Sequence, residues 1–139
     1  MINGKEGSVR EIMMSMPVTL KPEDTLDMAN DIITLGRIRH IPIVEDGRLV
    51  GLLSQRDLLG TAATAILGLK PKTKKAMLKS FQIREVMRKP VITVSAGTAI
   101  KDAAKMMADK KIGCLPIVEG DFLIGLVTVT DVLRYVETL

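Results

Sequence analysis

Apolar residues recur along this chain with two different periods. Leu26, Ala29 and Ile33 stand at the i, i+3 and i+7 positions of one helix face, and Ile100, Ala103 and Met107 repeat that spacing further on. Asp24 or Thr25 before the first of these helices, and Thr98 before the second, are the expected N-caps. Short runs at 18–20 and 92–94 predict a strand ahead of each helix. Two further β runs follow the first helix, 41–44 and 49–53, and the Asp46-Gly47 pair between them is a hairpin signal. The second copy carries Gly120-Asp121 there. Ser54-Gln55-Arg56-Asp57 and Thr128-Val129-Thr130-Asp131 then open a last helix, and both fit a capping box. The predicted order of elements is β-α-β-β-α, twice.

The two copies are related by a single offset. Residues 38–59 overlay 112–133 without a gap, a constant shift of 74, and ten of the twenty-two positions are identical. Arg10-Glu11, Met13, Thr19 and Ala29 map onto Arg84-Glu85, Met87, Thr93 and Ala103 at the same shift. A repeat of about fifty residues is too small to cover both faces of its own sheet. The expected architecture is therefore α+β, tandem β-α-β-β-α repeats packed sheet to sheet around a pseudo-twofold axis. The expected boundaries are a first repeat at 8–67, a basic linker at 68–80 and a second repeat at 81–139. Residues 61–67 are apolar enough to prolong the preceding helix.

Composition narrows the function classes. The chain has 139 residues, 47% of them hydrophobic, so it can bury the core of one ordinary domain or of two small units. Aromatics are 2% of it, which argues against a nucleic-acid surface built on stacked bases. Cys114 is the one cysteine and His40 the one histidine, so neither a disulfide nor a cysteine- or histidine-based metal cluster is expected. No apolar run reaches the length of a membrane span, and residues 1–7 lack the apolar stretch of a signal peptide; a cytoplasmic, membrane-free protein is expected. Much of the net charge of +4 comes from Lys70, Lys72, Lys74, Lys75 and Lys79, read as a solvated connector rather than a nucleic-acid contact, with an acidic partner protein as the other use. No nucleophile–base set and no Gly-Lys-Ser/Thr phosphate loop is present, so an enzyme ranks last.

Three motifs, each present in both copies, resemble those of the CBS-domain pair, or Bateman module. They are Arg-Glu-x-Met at residues 10–13 and 84–87, the Ile-x-x-(Ile/Leu)-Pro-Ile-Val of 38–44 and 112–118, and Gly-x-x-(Ser/Thr)-x-x-Asp at 51–57 and 125–131. The resemblance covers nearly the whole chain. It implies a regulatory module, not an enzyme, that binds AMP, ADP, ATP, S-adenosylmethionine or a related adenosyl ligand in clefts between the copies. It also implies a homodimer and an effector protein whose identity the sequence leaves open. No obligatory cofactor is implied.

Carried over by position, site one combines Ser54, Arg56 and Asp57 with Val91, Ile92, Ile112, Gly113 and Cys114. Site two combines Thr128, Thr130 and Asp131 with Pro17, Val18, Ile38, Arg39 and His40, and it is the favoured one, because Thr130 keeps the second hydroxyl that the family pattern prefers and Arg39 and His40 add phosphate or base contacts, whereas site one has Arg56 in that place, a departure that could clamp a phosphate or fill the cleft with its own side chain. Physical chemistry supports such a site. A helix N-terminus favours a phosphate, the hydroxyls of Ser54 and Thr128 can add hydrogen bonds to it, and a carboxylate accepts both ribose hydroxyls. Gly51 and Gly125 let another backbone approach closely. Each feature also has a plainer reading. Ser/Thr-x-x-Asp caps a helix without any ligand, Cys114 is a small core residue, His40 a hydrogen-bonded neighbour of a strand, and the methionines packing filler. The alternative function is accordingly a ligand-free structural or dimerisation module.

Overall fold

A computed structural model describes residues 7–66 and 70–139. The rest of the N-terminal stretch and residues 67–69, where the first repeat was expected to end and the linker to begin, lie outside the described residues. The chain forms two compact units, one of Met1–Pro17 with Ile92–Leu139 and one of Val18–Val91. Their elements are mixed α and β with antiparallel hairpins, as the two tandem repeats predict.

The unit of Val18–Val91 contains helix α2 (Leu26–Gly36), strands β2 (His40–Glu45) and β3 (Arg48–Ser54), and helices α3 (Gln55–Ile66) and α4 (Pro71–Lys79). β2 and β3 pair antiparallel from His40 opposite Ser54 to Glu45 opposite Arg48, with a bulge between Ile43 and Val44. At the turn Asp46 and Gly47 have φ of 53° and 80°, the two left-handed residues that a tight hairpin of this twist requires. The predicted strand at 18–20 contracts to one bridge, Leu20 beside Ile43 in parallel. Leu26, Ala29 and Ile33, the predicted face of α2, are buried with Ile41, Ile43, Leu53, Leu58, Leu78 and Ile83.

The other unit repeats the plan. It holds a one-turn helix α1 (Val9–Ile12), strand β1 (Met14–Ser15), helix α5 (Ile100–Lys110), strands β4 (Cys114–Glu119) and β5 (Phe122–Thr128), and helix α6 (Val129–Glu137). β4 and β5 pair from Cys114 opposite Thr128 to Glu119 opposite Phe122, with the bulge again one register step in, between Ile117 and Val118. The predicted strand at 92–94 again contracts, to Val94 beside Ile117. β1, which the hydropathy pattern did not mark, adds to the hairpin with Met14 opposite Leu126. The N-cap of α5 is Ala99, not the expected Thr98; the Thr98 hydroxyl lies 3.2 Å from that of Ser95, and its carbonyl accepts from Val9 N at 2.8 Å.

Two features depart from the repeat boundaries written in the sequence. The leading segment of each repeat belongs to the compact unit of the other. Val9 N donates to Thr98 O (2.8 Å) and Ile100 N to Gly7 O (2.9 Å); at the shift of 74, Ile83 N donates to Asp24 O (2.8 Å) and Leu26 N to Phe81 O (3.0 Å). Val9 and Ile83 are both fully buried in these borrowed positions. In addition, most of the expected linker is helix α4. Pro71 in its first turn is pre-set for a helix start rather than a break, and Leu78, 2% exposed, joins the core of the Val18–Val91 unit while Lys72, Lys75 and Lys79 stay exposed.

Candidate functional site

Each helix that follows a hairpin begins at a capping box, and the capping carboxylates are Asp57 and Asp131. In α3, Asp57 N donates to Ser54 Oγ (3.0 Å) and Ser54 N to Asp57 Oδ2 (3.1 Å). In α6, Thr128 N (2.8 Å) and the Thr128 hydroxyl (3.0 Å) both donate to Asp131 Oδ2. The first amide of each helix is also occupied: Gln55 N donates to Arg39 O (2.8 Å) and Val129 N to Gly113 O (3.1 Å). The first and third amides of each helix are therefore taken within the protein. The Ser54 and Thr128 hydroxyls cap their helices, each accepting from the amide three residues on.

The ladders set which predicted site residues meet. His40 faces Ser54 across β2 and β3, so Arg39, His40, Ser54 and Asp57 gather within the Val18–Val91 unit. Cys114 faces Thr128 across β4 and β5, so Gly113, Cys114, Thr128 and Asp131 gather within the other. Ile38 is packed against the core of the first and Ile112 against that of the second. Arg56 and Thr130 are exposed beside their aspartates in the first turns of α3 and α6. Arg56 lines, with Gln55, Leu59 and Gly60, a shallow depression of about 450 Å³. Val18 and Val91 fall in the unit of Asp57, and Pro17 and Ile92 in that of Asp131. Val18 and Ile92 are exposed apolar residues.

The free ends of the two carboxylates differ. Asp57 Oδ1 accepts from Arg88 Nε at 2.7 Å, and the Asp57 side chain is 11% exposed. Arg88 had no place in any sequence motif and was missed. For Asp131 Oδ1 no partner is found among the described residues.

Titration behaviour separates the two neighbours of the hairpins. Burial pushes the Cys114 thiol up to about 12, so it is a protonated core residue at neutral pH. Burial likewise lowers His40 below its ordinary 6.5, with Asp57 opposing and Arg39 adding to the shift. A histidine with a depressed folded value binds its proton more readily when unfolded. Its stabilisation is complete above 6.5 and is lost as the pH falls from there through the folded value. The melting temperature is expected to fall between about pH 7 and pH 5, and less steeply in His40→Gln. Equal slopes in the two proteins would refute this.

No helix among the described residues is long and apolar enough to cross a membrane, and no group of three or more His, Cys, Asp or Glu among them could hold a metal ion. The duplicated hairpin-and-capped-helix matches a known domain model twice, the CBS domain, at residues 9–63 and 83–138. The chain belongs to the CBS domain family. It is similar to the CBS domain-containing protein YhcV of Bacillus subtilis, with 30% identity over 89% of this chain and 81% of that protein. It is also similar, at 32% identity over 93% of its length, to a homoserine O-acetyltransferase of Methanohalobium evestigatum, of which it spans only 24%. Among solved structures, the CBS domain pair of protein MJ0100 in complex with 5′-methylthioadenosine and S-adenosyl-L-methionine superposes with a TM-score of 0.79. That pair is 26% identical, over 96% of this chain and 98% of the other. A CBS pair thus occurs both as most of a small protein and as about a quarter of an enzyme.

Proposed function

We propose that this CBS-domain pair is a regulatory module for an adenosyl ligand, with the Asp131 carboxylate accepting the ribose hydroxyls. The observation that carries the reading is the division of labour within Asp131. Oδ2 is fixed by Thr128, which orients the carboxylate, and Oδ1 is left for a donor from outside. Thr130 stands exposed in the first turn of α6 to add a hydroxyl. The bound adenosyl compounds of the MJ0100 pair support the ligand class. In this reading the module catalyses no reaction; ligand binding biases a conformational equilibrium that an effector protein in the cytoplasm reads.

A panel of AMP, ADP, ATP, S-adenosylmethionine and 5′-methylthioadenosine in a thermal-shift assay tests this. Ligand at a hundredfold over Kd stabilises by about 2.7 kcal/mol, which is several degrees at this size. Asp131→Ala is expected to remove the 5′-methylthioadenosine shift while costing the free protein only a cap, about 1 kcal/mol. No shift with any of the five overturns the reading.

A second reading, a ligand-free dimerisation module, draws on α6. Val129, Leu133 and Val136 follow the spacing of one helix face and are 41%, 60% and 54% exposed. A second copy of the chain is the occupant this reading names. A dimer by sedimentation together with an empty ligand panel would favour it over the first.

A further inference from the structure

Arg88 and Met14 occupy corresponding places, related by the shift of 74, and their backbones are held alike. Arg88 is bridged to Leu52 in both directions, Arg88 N to Leu52 O at 2.9 Å and Leu52 N to Arg88 O at 3.1 Å. Met14 is paired with Leu126, the residue that corresponds to Leu52. The same backbone position therefore delivers a guanidinium to one aspartate and a neutral thioether side chain to the unit of the other. The difference extends to the surrounding positions. The unit of Asp57 carries Arg39, His40, Arg56 and Arg88; the corresponding residues in the unit of Asp131 are Gly113, Cys114, Thr130 and Met14.

We propose that Arg88 makes the two adenosyl sites unequal, reserving the Asp57 site for ligands that carry a phosphate and leaving the Asp131 site open to uncharged or cationic adenosyl compounds. The proposal rests on the adenosyl reading above. Oδ2 of Asp57 is committed to its cap, so a ribose and the Arg88 guanidinium compete for the same Oδ1. An uncharged nucleoside that displaces Arg88 leaves the cation without its charge-assisted hydrogen bond. A phosphate replaces that partner. Arg88 is thus a specificity-determining residue: its side chain is 62% exposed, on a backbone bridged to Leu52 in both directions.

Calorimetric titration of the full chain distinguishes the sites, with 5′-methylthioadenosine as the uncharged probe and AMP as the phosphate-bearing one. The wild type is expected to bind one equivalent of 5′-methylthioadenosine, and Asp131→Ala none. Arg88→Met, which places at this site the residue the other repeat carries, is expected to restore one equivalent to the Asp131→Ala background. The gain in affinity should be about tenfold or more, the size of a lost charge-assisted bond. In the same background AMP affinity is expected to fall about tenfold when Arg88 is removed. Should Arg88→Met fail to fold, Arg88→Gln serves the same comparison. Equal 5′-methylthioadenosine binding by Asp131→Ala with and without Arg88 overturns the proposal, as does AMP affinity indifferent to Arg88. A wild type that binds neither probe instead sinks the adenosyl reading itself.

Discussion

Gly125→Val is expected to be among the most damaging single substitutions in this chain, and Gly51→Val to match it. A Cβ built on Gly125 would lie 3.1 Å from both Met13 Cγ and Met14 O, and closer still to Met13 Sδ; on Gly51 it would lie 2.9 Å from Met87 Cγ and 3.2 Å from Met87 Cβ. The glycines let the methionine of the Arg-Glu-x-Met motif lie flat on the hairpin. That space is therefore filled by protein rather than by ligand. Overpacking of this kind costs about 1–3 kcal/mol or more, roughly 3–5 °C of melting temperature per kcal/mol for a chain this long. The clash has a signature: combining Gly125→Val with Met13→Ala should recover part of the loss, because the two residues share one volume. Strict additivity of the two single variants would show that the glycine acts by some other route.

Ile83→Ala should cost about 2–5 kcal/mol, as a fully buried isoleucine does, and the damage should appear where the sequence would not place it. Ile83 leads the second repeat, yet it is buried with Leu26, Ile41 and Leu53 of the first. Native-state hydrogen exchange of Ile83→Ala is expected to show lost protection in α2, β2 and β3, and Val9→Ala lost protection in α5, β4 and β5. Protection lost mainly in the repeat that carries the substitution would contradict the exchanged packing.

The hairpins, the α2 and α5 faces and both capping boxes were legible from sequence because each rests on local rules of period, turn and cap. Leu26, Ala29 and Ile33 point inward for the same reason that they are spaced three and four apart. The exchange of leading segments was not legible. Arg10-Glu11-x-Met13 and Arg84-Glu85-x-Met87 are the same motif, so the sequence holds nothing that says which hairpin each must lie on; that choice belongs to tertiary packing. α4 was hidden by composition. Its lysines conceal a core contact of only two residues, Met77 and Leu78, and Pro71 reads as a break unless its place in the first turn is known. At the candidate site the two aspartates were legible as repeated motif residues. Their inequality was not, because Arg88 reaches Asp57 across 31 positions of chain and lies in no motif.

The borrowed segments also order events during synthesis. All of Val18–Val91 is one uninterrupted stretch, so its core is complete in sequence once Ile83 and the bridge to Arg88 have left the ribosome. Val9 has been made earlier, but its partners on α5 and β4 come last. The N-terminal segment must therefore wait, unsatisfied, while the unit encoded after it folds first. A nascent chain whose residues up to 91 have cleared the ribosome would carry one finished unit and one unfinished one.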